Sequence, residues 1–326
     1  MKKEMLLGTA SVAALTAATT THAVADEHEF QPSTSISMMG SVGLLNNAPY
    51  DKLTAESGGA MPPEEYNDKF GNPAGDMGYV GSVALEHRLT EQFDIGASAT
   101  LGFSTANQRD KFEDFGSGFG EGHVTNEFNF QALDAEVGFR PAEMNDVRLF
   151  AGVRSLNTAS TSDKVGTDVN ADPEGSGGYN RISSEMSSTF TGTGLRVGAE
   201  YSQAVAVGSY GFTGKVGAAA LQGTNHHRVS ATYESGYYSS GFYSGFGQSN
   251  SEEYEETGVT AYSLDAAIGV DYRASENTTI SFGYQAQQFW NVDIYSDTDE
   301  EFFGPSEGYN SPRLIHGVFV GMTTNF

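Results

Sequence analysis

The chain has no cysteine in its 326 residues. Neither a disulfide framework nor a thiolate metal centre can therefore form. Past its amino-terminal segment it has no long apolar run, which excludes a bundle of membrane-spanning helices. That exclusion does not reach barrels, whose strands hide their apolarity in alternation. Basic residues are scarce, 17 Lys plus Arg against 42 Asp plus Glu, for a formal net charge of −25. Such a balance argues against nucleic acid as a partner and against electrostatic docking on anionic surfaces. No motif for a cofactor is present, and none is expected.

What the chain has instead is glycine, 40 residues, and aromatics, with 16 Tyr and 21 Phe. Many short strands with aromatic anchors use residues this way. At the amino terminus, Lys2 and Lys3 precede an apolar, Ala-rich run from Met5 to Ala18, and Ala23-Val24-Ala25 follows. Charge order, length and the small-x-small box read as an export signal cleaved near Ala25, with Asp26 the first mature residue. At the carboxy terminus, Leu314, His316, Val318, Val320, Met322, Thr324 and Phe326 alternate with Ile315, Gly317, Phe319, Gly321, Thr323 and Asn325. This is a two-faced strand, mostly apolar on one side and mostly small or polar on the other. A closing barrel strand has this form, with its final aromatic at the periplasmic interface and its carboxy end read by the barrel-assembly machinery.

The same alternation recurs along the chain. Strands are expected over residues 35–44, 78–89, 93–103, 128–139, 147–156, a sixth ending at Tyr201, 210–220, 262–272, 280–290 and 314–326. Phe93, Ile95, Ala97, Ala99, Leu101 and Phe103, for example, oppose Asp94, Gly96, Ser98, Thr100 and Gly102. The connections alternate long and short. The expected fold is therefore an all-β, transmembrane, antiparallel up-and-down barrel of about ten strands, with long extracellular loops and short periplasmic turns. Residues 1–25 form the signal and 26–326 the barrel. The longest loop, 222–259, contains an alternating Val229–Tyr233 and an aromatic 236–246; a hairpin there makes twelve strands.

Aromatics give an independent sign. Phe93, Phe139, Tyr201, Tyr210, Tyr272 and Phe326 sit at the expected periplasmic ends, each on the apolar parity of its strand. Tyr79, Phe103, Tyr262 and Trp290 do the same at the other end. Two such belts at two interfaces fit a barrel in a lipid and lipopolysaccharide membrane.

The polar parity carries Glu86, Asp94, Asp134, Glu136, Glu200, Asp265 and Asp271 with Arg88, Arg140, Arg148, Arg154, Arg196 and Lys215. A Lys or Arg facing lipid at mid-depth costs about 2–4 kcal/mol, so these groups are expected to point inward. They can form a charged constriction that selects solutes. They can equally form a salt-bridge network that fills a narrow barrel.

Four stretches resemble the Legionella-type major outer membrane proteins, a pore-forming family. They are 134–154 (DAEVGFRPAEMNDVRLFAGVR), 194–223 (GLRVGAEYSQAVAVGSYGFTGKVGAAALQG), 264–292 (LDAAIGVDYRASENTTISFGYQAQQFWNV) and 315–326 (IHGVFVGMTTNF). The resemblance covers about the last two-thirds of the mature chain and implies a porin-like barrel. It brings no catalytic residues with it.

The long loops, taken as 45–77, 104–126, 158–188, 222–259 and 291–313, hold 26 acids and 8 bases. An acidic outer mouth would attract cations; acidic loops also simply keep a surface solvated. Asp168 to Asp172 begins like a calcium loop, but Pro173 stands where Gly is needed and no acid occupies the twelfth position. The acidic run from Asp297 to Glu301 reads as a solvated segment. No metal site is expected. A rim protease would need His beside a carboxylate; His123, His226 and His227 are the loop candidates, without a supporting motif. His316 lies on the lipid parity near the outer end. The expected function is passive diffusion of small hydrophilic solutes, with a preference for cations, and no enzyme activity. Two alternatives remain, a non-conducting surface protein and a barrel hydrolase.

Overall fold

The computed structural model describes residues 31–46, 76–113, 118–171, 177–203, 205–239, 242–292, 294–295, 309–310 and 312–326. The export signal, residues 47–75 and the acidic run 297–301 lie outside them. Twelve strands are described: β1 (Ser33–Asn46), β2 (Asp76–Arg88), β3 (Phe93–Glu113), β4 (Gly118–Phe139), β5 (Val147–Ala171), β6 (Gly177–Ser202), β7 (Tyr210–Ser239), β8 (Phe242–Arg273), β9 (Thr278–Trp290), β10 (Ile294–Tyr295), β11 (Tyr309–Asn310) and β12 (Arg313–Asn325). Ten close into a barrel in the order β1-β12-β9-β8-β7-β6-β5-β4-β3-β2, and β10 pairs only with β11. Every barrel seam is antiparallel. Closure gives each spanning strand two partners, so no edge meets lipid.

The turns at one end are short because local polar groups close them. Between β2 and β3, Phe93 accepts backbone bonds from Leu89 and Thr90 at 2.9 and 3.1 Å. The Thr90 hydroxyl accepts from the Phe93 amide at 2.9 Å. Between β4 and β5, Met144 bonds back to Pro141 and Val147 to Met144, both at 2.9 Å. Gly208, at φ 80°, turns the chain between β6 and β7. Both ends of the barrel finish on this side, where the Phe326 amide donates to Thr34 at 2.8 Å. Short turns and termini mark the periplasmic side.

At the other end the expectation of long loops needs correction. Residues expected as loops at 104–126, 158–188 and 222–259 run for most of their length as strand. β3 and β4 stay in register out to Glu113↔Phe119, β5 and β6 to Ala171↔Gly177, and β7 and β8 to Ser239↔Phe242. The hairpin foreseen inside 222–259 exists, but it prolongs β7 and β8 rather than adding strands, so the barrel has ten. The reason is backbone pairing. Once a ladder is established in the membrane, each further antiparallel pair satisfies two more sets of amides, whether or not the side chains alternate. One bulge interrupts the longest pair, between Gly223 and Thr224, opposite Gly258 at φ 78°.

The outward face of the spanning part is apolar. Leu195, Val197, Phe212, Ile268 and Val318 are all well exposed there, as expected of a surface made for lipid.

Candidate functional site: the barrel interior

The interior carries two layers. The lower one, nearer the periplasm, is built on arginines from β5 and β6. Arg148 donates from Nη2 to Asp94 at 2.7 Å and from Nη1 to Glu136 at 2.8 Å. Glu86 and Glu200 stand 3.6 and 3.7 Å from the same guanidinium. Arg140 leaves the β4–β5 turn and folds inward onto Glu86 at 2.8 Å and onto Asp94. Arg154 grips Asp134 with two parallel bonds of 2.7 and 2.9 Å, and reaches Asp265 on β8 at 2.8 Å. Arg196 spans Glu136 and Asp265 at 2.6 and 2.7 Å. Lys215 lies 3.6 Å from Glu200.

These pairs link β2 through β8 across the lumen. Bidentate and forked contacts of this kind suit the planar guanidinium, which lysine cannot imitate. Asp94 is fully buried, so its charge is held by arginines and not by water. The Phe150 ring adds a face for Arg196 at 4.6 Å, Lys215 at 5.3 Å and Arg148 at 5.4 Å, a cation–π arrangement. Room for the network comes from glycine: a Cβ at Gly138 would fall 2.5 Å from Arg148 Nε.

The upper layer is apolar. Phe128, Phe190, Phe289, Leu156, Leu221 and Val292 are almost wholly buried. The Phe130 and Phe289 rings meet at 4.9 Å, and Phe128 lies 6.1 Å from Phe289. β4 and β9 are five strands apart either way round the ten-stranded barrel. These rings therefore touch across its full width. Arg313 makes a second crossing. From β12 it donates to Ser160 on β5, again five strands away, at 2.9 Å, with its guanidinium 5.4 Å from the Phe128 ring.

The structure places the thirteen charged candidates as follows. Eleven belong to the ion-pair network. Asp271 accepts from the Ser281 hydroxyl at 2.6 Å instead. Arg88 stands half-buried on the same parity at the lower end of β2. The belt candidates stand in cross-strand pairs: Tyr79 with Phe103 at 5.0 Å, Phe93 with Phe139 at 5.2 Å, and Tyr210 with Tyr272 at 5.0 Å. Tyr262 is the register partner of Trp290. Tyr201 and Phe326 are exposed at the periplasmic end. From Phe93 to Phe103, and from Tyr262 to Tyr272, the two belts lie eleven residues apart inclusive, about the length a tilted strand needs to cross.

The aromatic plug itself was not anticipated, although inward aromatics beside glycines are visible in the sequence and one of them, Phe130, belongs to it. Phe130, Phe150 and Phe319 lie on the polar parity of their strands, and the register partner of each includes a glycine: Gly102, Gly198 and Gly283. A Cβ on Gly102 would fall 1.9 Å from the Phe130 ring. An aromatic on the inward parity beside a glycine marks a ring lying flat across its neighbour.

Of the histidines, His226 Nδ1 lies 3.4 Å from Glu255, both about half exposed. The pair faces outward on the prolonged β7 and β8. His227 is buried on the inward side. His316 meets the Tyr284 hydroxyl on the outer surface of the barrel. Asp168 belongs to β5; Asp172 falls outside the described residues. Among the described residues no group of three or more His, Cys, Asp or Glu is placed to hold a metal ion.

Against known proteins, residues 67–325 match the family described as Legionella pneumophila major outer membrane protein precursor. No curated protein matches the chain. Among solved structures, similarity extends to the outer membrane protease OmpT of Escherichia coli, at 12% identity over 90% of this chain and 96% of that one, TM-score 0.36. The attachment invasion locus protein Ail of Yersinia pestis has 11% identity over 91% and 100%, TM-score 0.28. A major outer membrane protein of Thermus thermophilus has 10% identity over 90% and 99%, TM-score 0.28. Likeness at these levels transfers no function.

Proposed function

The chain belongs to the Legionella major outer membrane protein family, and on that premise we propose that it is a side-chain-filled barrel of the outer membrane whose working surface is its extracellular end. The carrying observation is the 4.9 Å contact of Phe130 with Phe289 from opposite walls. A ring contact spanning the full width narrows any aqueous path at that height, and the ion pairs from β2 through β8 occupy part of the section beneath it. A barrel of about eight strands is filled by its own side chains; ten strands with inward Phe and Arg reach the same state. The test is planar-bilayer conductance of the purified protein. Silence is expected from the native barrel, and discrete steps from Phe130→Ala/Phe289→Ala.

A second reading is a channel for small hydrophilic solutes with a preference for cations. It is supported by the lower layer, which is held by rearrangeable ion pairs, and by the excess of acids in the outer segments. Native conductance steps with a cation-selective reversal potential would favour it over the filled barrel. Among the described residues, a hydrolase has the His226–Glu255 pair in its favour. That pair faces outward, away from the interior, and we assign it no catalysis; hydrolytic activity abolished by His226→Ala would reverse this.

Three further points belong to the same reading. Residues 1–25 serve as the export signal, and mass spectrometry of the mature protein should find Asp26 at its amino terminus. β12, followed directly by exposed Phe326, is the segment the assembly machinery reads; Phe326→Ser should slow membrane insertion. Lipid and lipopolysaccharide are the surrounding partners, with small solutes as the partner of the channel reading.

A further inference from the structure

The outward face of β5–β8 changes character between two successive rows. Val153, Leu195, Ala220 and Tyr262 are register neighbours and form the last apolar row, with Tyr262 of the outer belt among them. Two residues further out on the same face, the row is Ser155, Thr193, Gln222 and Thr260. The next is Asn157, Thr191, Thr224 and Thr257. Every member of these two rows carries a hydroxyl or an amide and none carries a charge. The following row brings His226 against Glu255 at 3.4 Å, so the first ionisable groups on this face stand against one another.

Bonds within the rows tie neighbouring strands together on this face. Gln222 donates to the Thr260 hydroxyl at 2.5 Å, and the Thr191 hydroxyl donates to Asn157 at 3.5 Å. Thr191, Thr193, Gln222 and Thr257 are exposed. A sheet spaces such groups about 4.8 Å between strands and about 6.8 Å along them. The result is a grid of groups that both donate and accept.

We propose that this hydroxyl face docks the neutral sugars of the lipopolysaccharide core around the barrel. The inference rests on the outer-membrane placement of the chain and is independent of whether the lumen conducts. Three observations select the occupant. The face continues without a gap from the lipid-facing surface, so whatever covers it is attached to what covers the row below. In the outer leaflet that is the core oligosaccharide, carried above the acyl chains and their phosphorylated disaccharide. The two rows contain no Lys or Arg, so phosphate is not the group recognised. The partners that suit hydroxyls and amides on such a grid are hydroxyls on a pyranose ring, which likewise donate and accept.

The experiment uses the folded full-length mature protein in detergent micelles. Its thermal unfolding is followed by circular dichroism with two added lipids: lipopolysaccharide carrying its whole core oligosaccharide, and the same lipid stripped to its acyl chains and phosphorylated disaccharide. The native protein should gain more in unfolding midpoint from the whole-core lipid than from the stripped one. Thr191→Val/Thr193→Val/Thr224→Val should lose that extra gain while keeping its response to the stripped lipid. The corresponding Thr→Ser variant should retain both. Equal gains from the two lipids in the native protein overturn the proposal without any variant being needed. Retention of the extra gain by the Val variant also overturns it. So does a native dimer in the absence of lipid that the Val variant abolishes, which would assign the face to a second copy.

Discussion

Among the described residues, one wall of the barrel is tall and the other is short. β7 and β8 run for 30 and 32 residues, whereas β1 has 14 and β2, β9 and β12 have 13 each. A tilted strand needs about 9–11 residues to cross the hydrocarbon. The short wall is thus little more than a membrane span, and the tall wall is a span continued outward as a sheet. The two obey the same rules below the outer belt and different rules above it. In the membrane, lipid outside and ion pairs inside dictate every second residue. Above it, lipid no longer covers the outer face, the apolar parity lapses, and backbone pairing carries the strand together with inward side chains such as Leu156 and Phe190.

The comparison can be broken from inside the membrane. Arg148→Met should have the largest effect. It leaves Asp94 and Glu136 without the guanidinium that bonds both, and removing one partner of a buried pair costs about 3–5 kcal/mol. Urea unfolding of the barrel in micelles measures this. Phe289→Ala comes next, at about 3 kcal/mol for a buried ring lost against Phe128 and Phe130, with bilayer conductance as the second readout. Ile268→Lys, on the exposed lipid face, should cost about 2–4 kcal/mol at mid-depth, in the same unfolding assay. The smallest effect is expected on the tall wall. Val229 and Glu252 are register partners. Replacing everything between them by a two-residue Asn-Gly turn should change barrel stability by less than about 1 kcal/mol, because the removed pairs lie above the span. A loss as large as that of Arg148→Met would mean that the two walls are one cooperative unit.

The same contrast explains what the sequence discloses. The ten spanning strands are legible because lipid enforces a period of two: Phe93 to Phe103 alternates with no exception. The outer parts of β3 to β8 are not legible, because Ser, Gly and acids fall on both faces there, a composition that also belongs to loops. The hint at Val229 to Tyr233 identified pairing but not its continuity with β7. In the interior, charge was legible, since Arg148 or Asp94 cannot face lipid. The partners were not, since Arg154 and Asp265 are 111 positions apart. The plug was missed because Phe130 and Phe289 read as exceptions to alternation until the sheet closes and sets them face to face.

The seam between β1 and β12 has a consequence for the order of events in assembly. Each of the other nine seams joins strands that follow one another along the chain, β9 and β12 being separated only by the short β10 and β11. Ser35, however, pairs with Asn325, almost the whole chain away. Pairings this distant in sequence form late, since the intervening loop entropy must first be overcome. Until β12 arrives, the growing sheet has two open edges and its arginine layer has no opposite wall to exclude water from. The barrel therefore behaves during membrane assembly as a clasp that shuts once, at β12, and changes in β12 should alter the rate of closure more than the shape of what is closed.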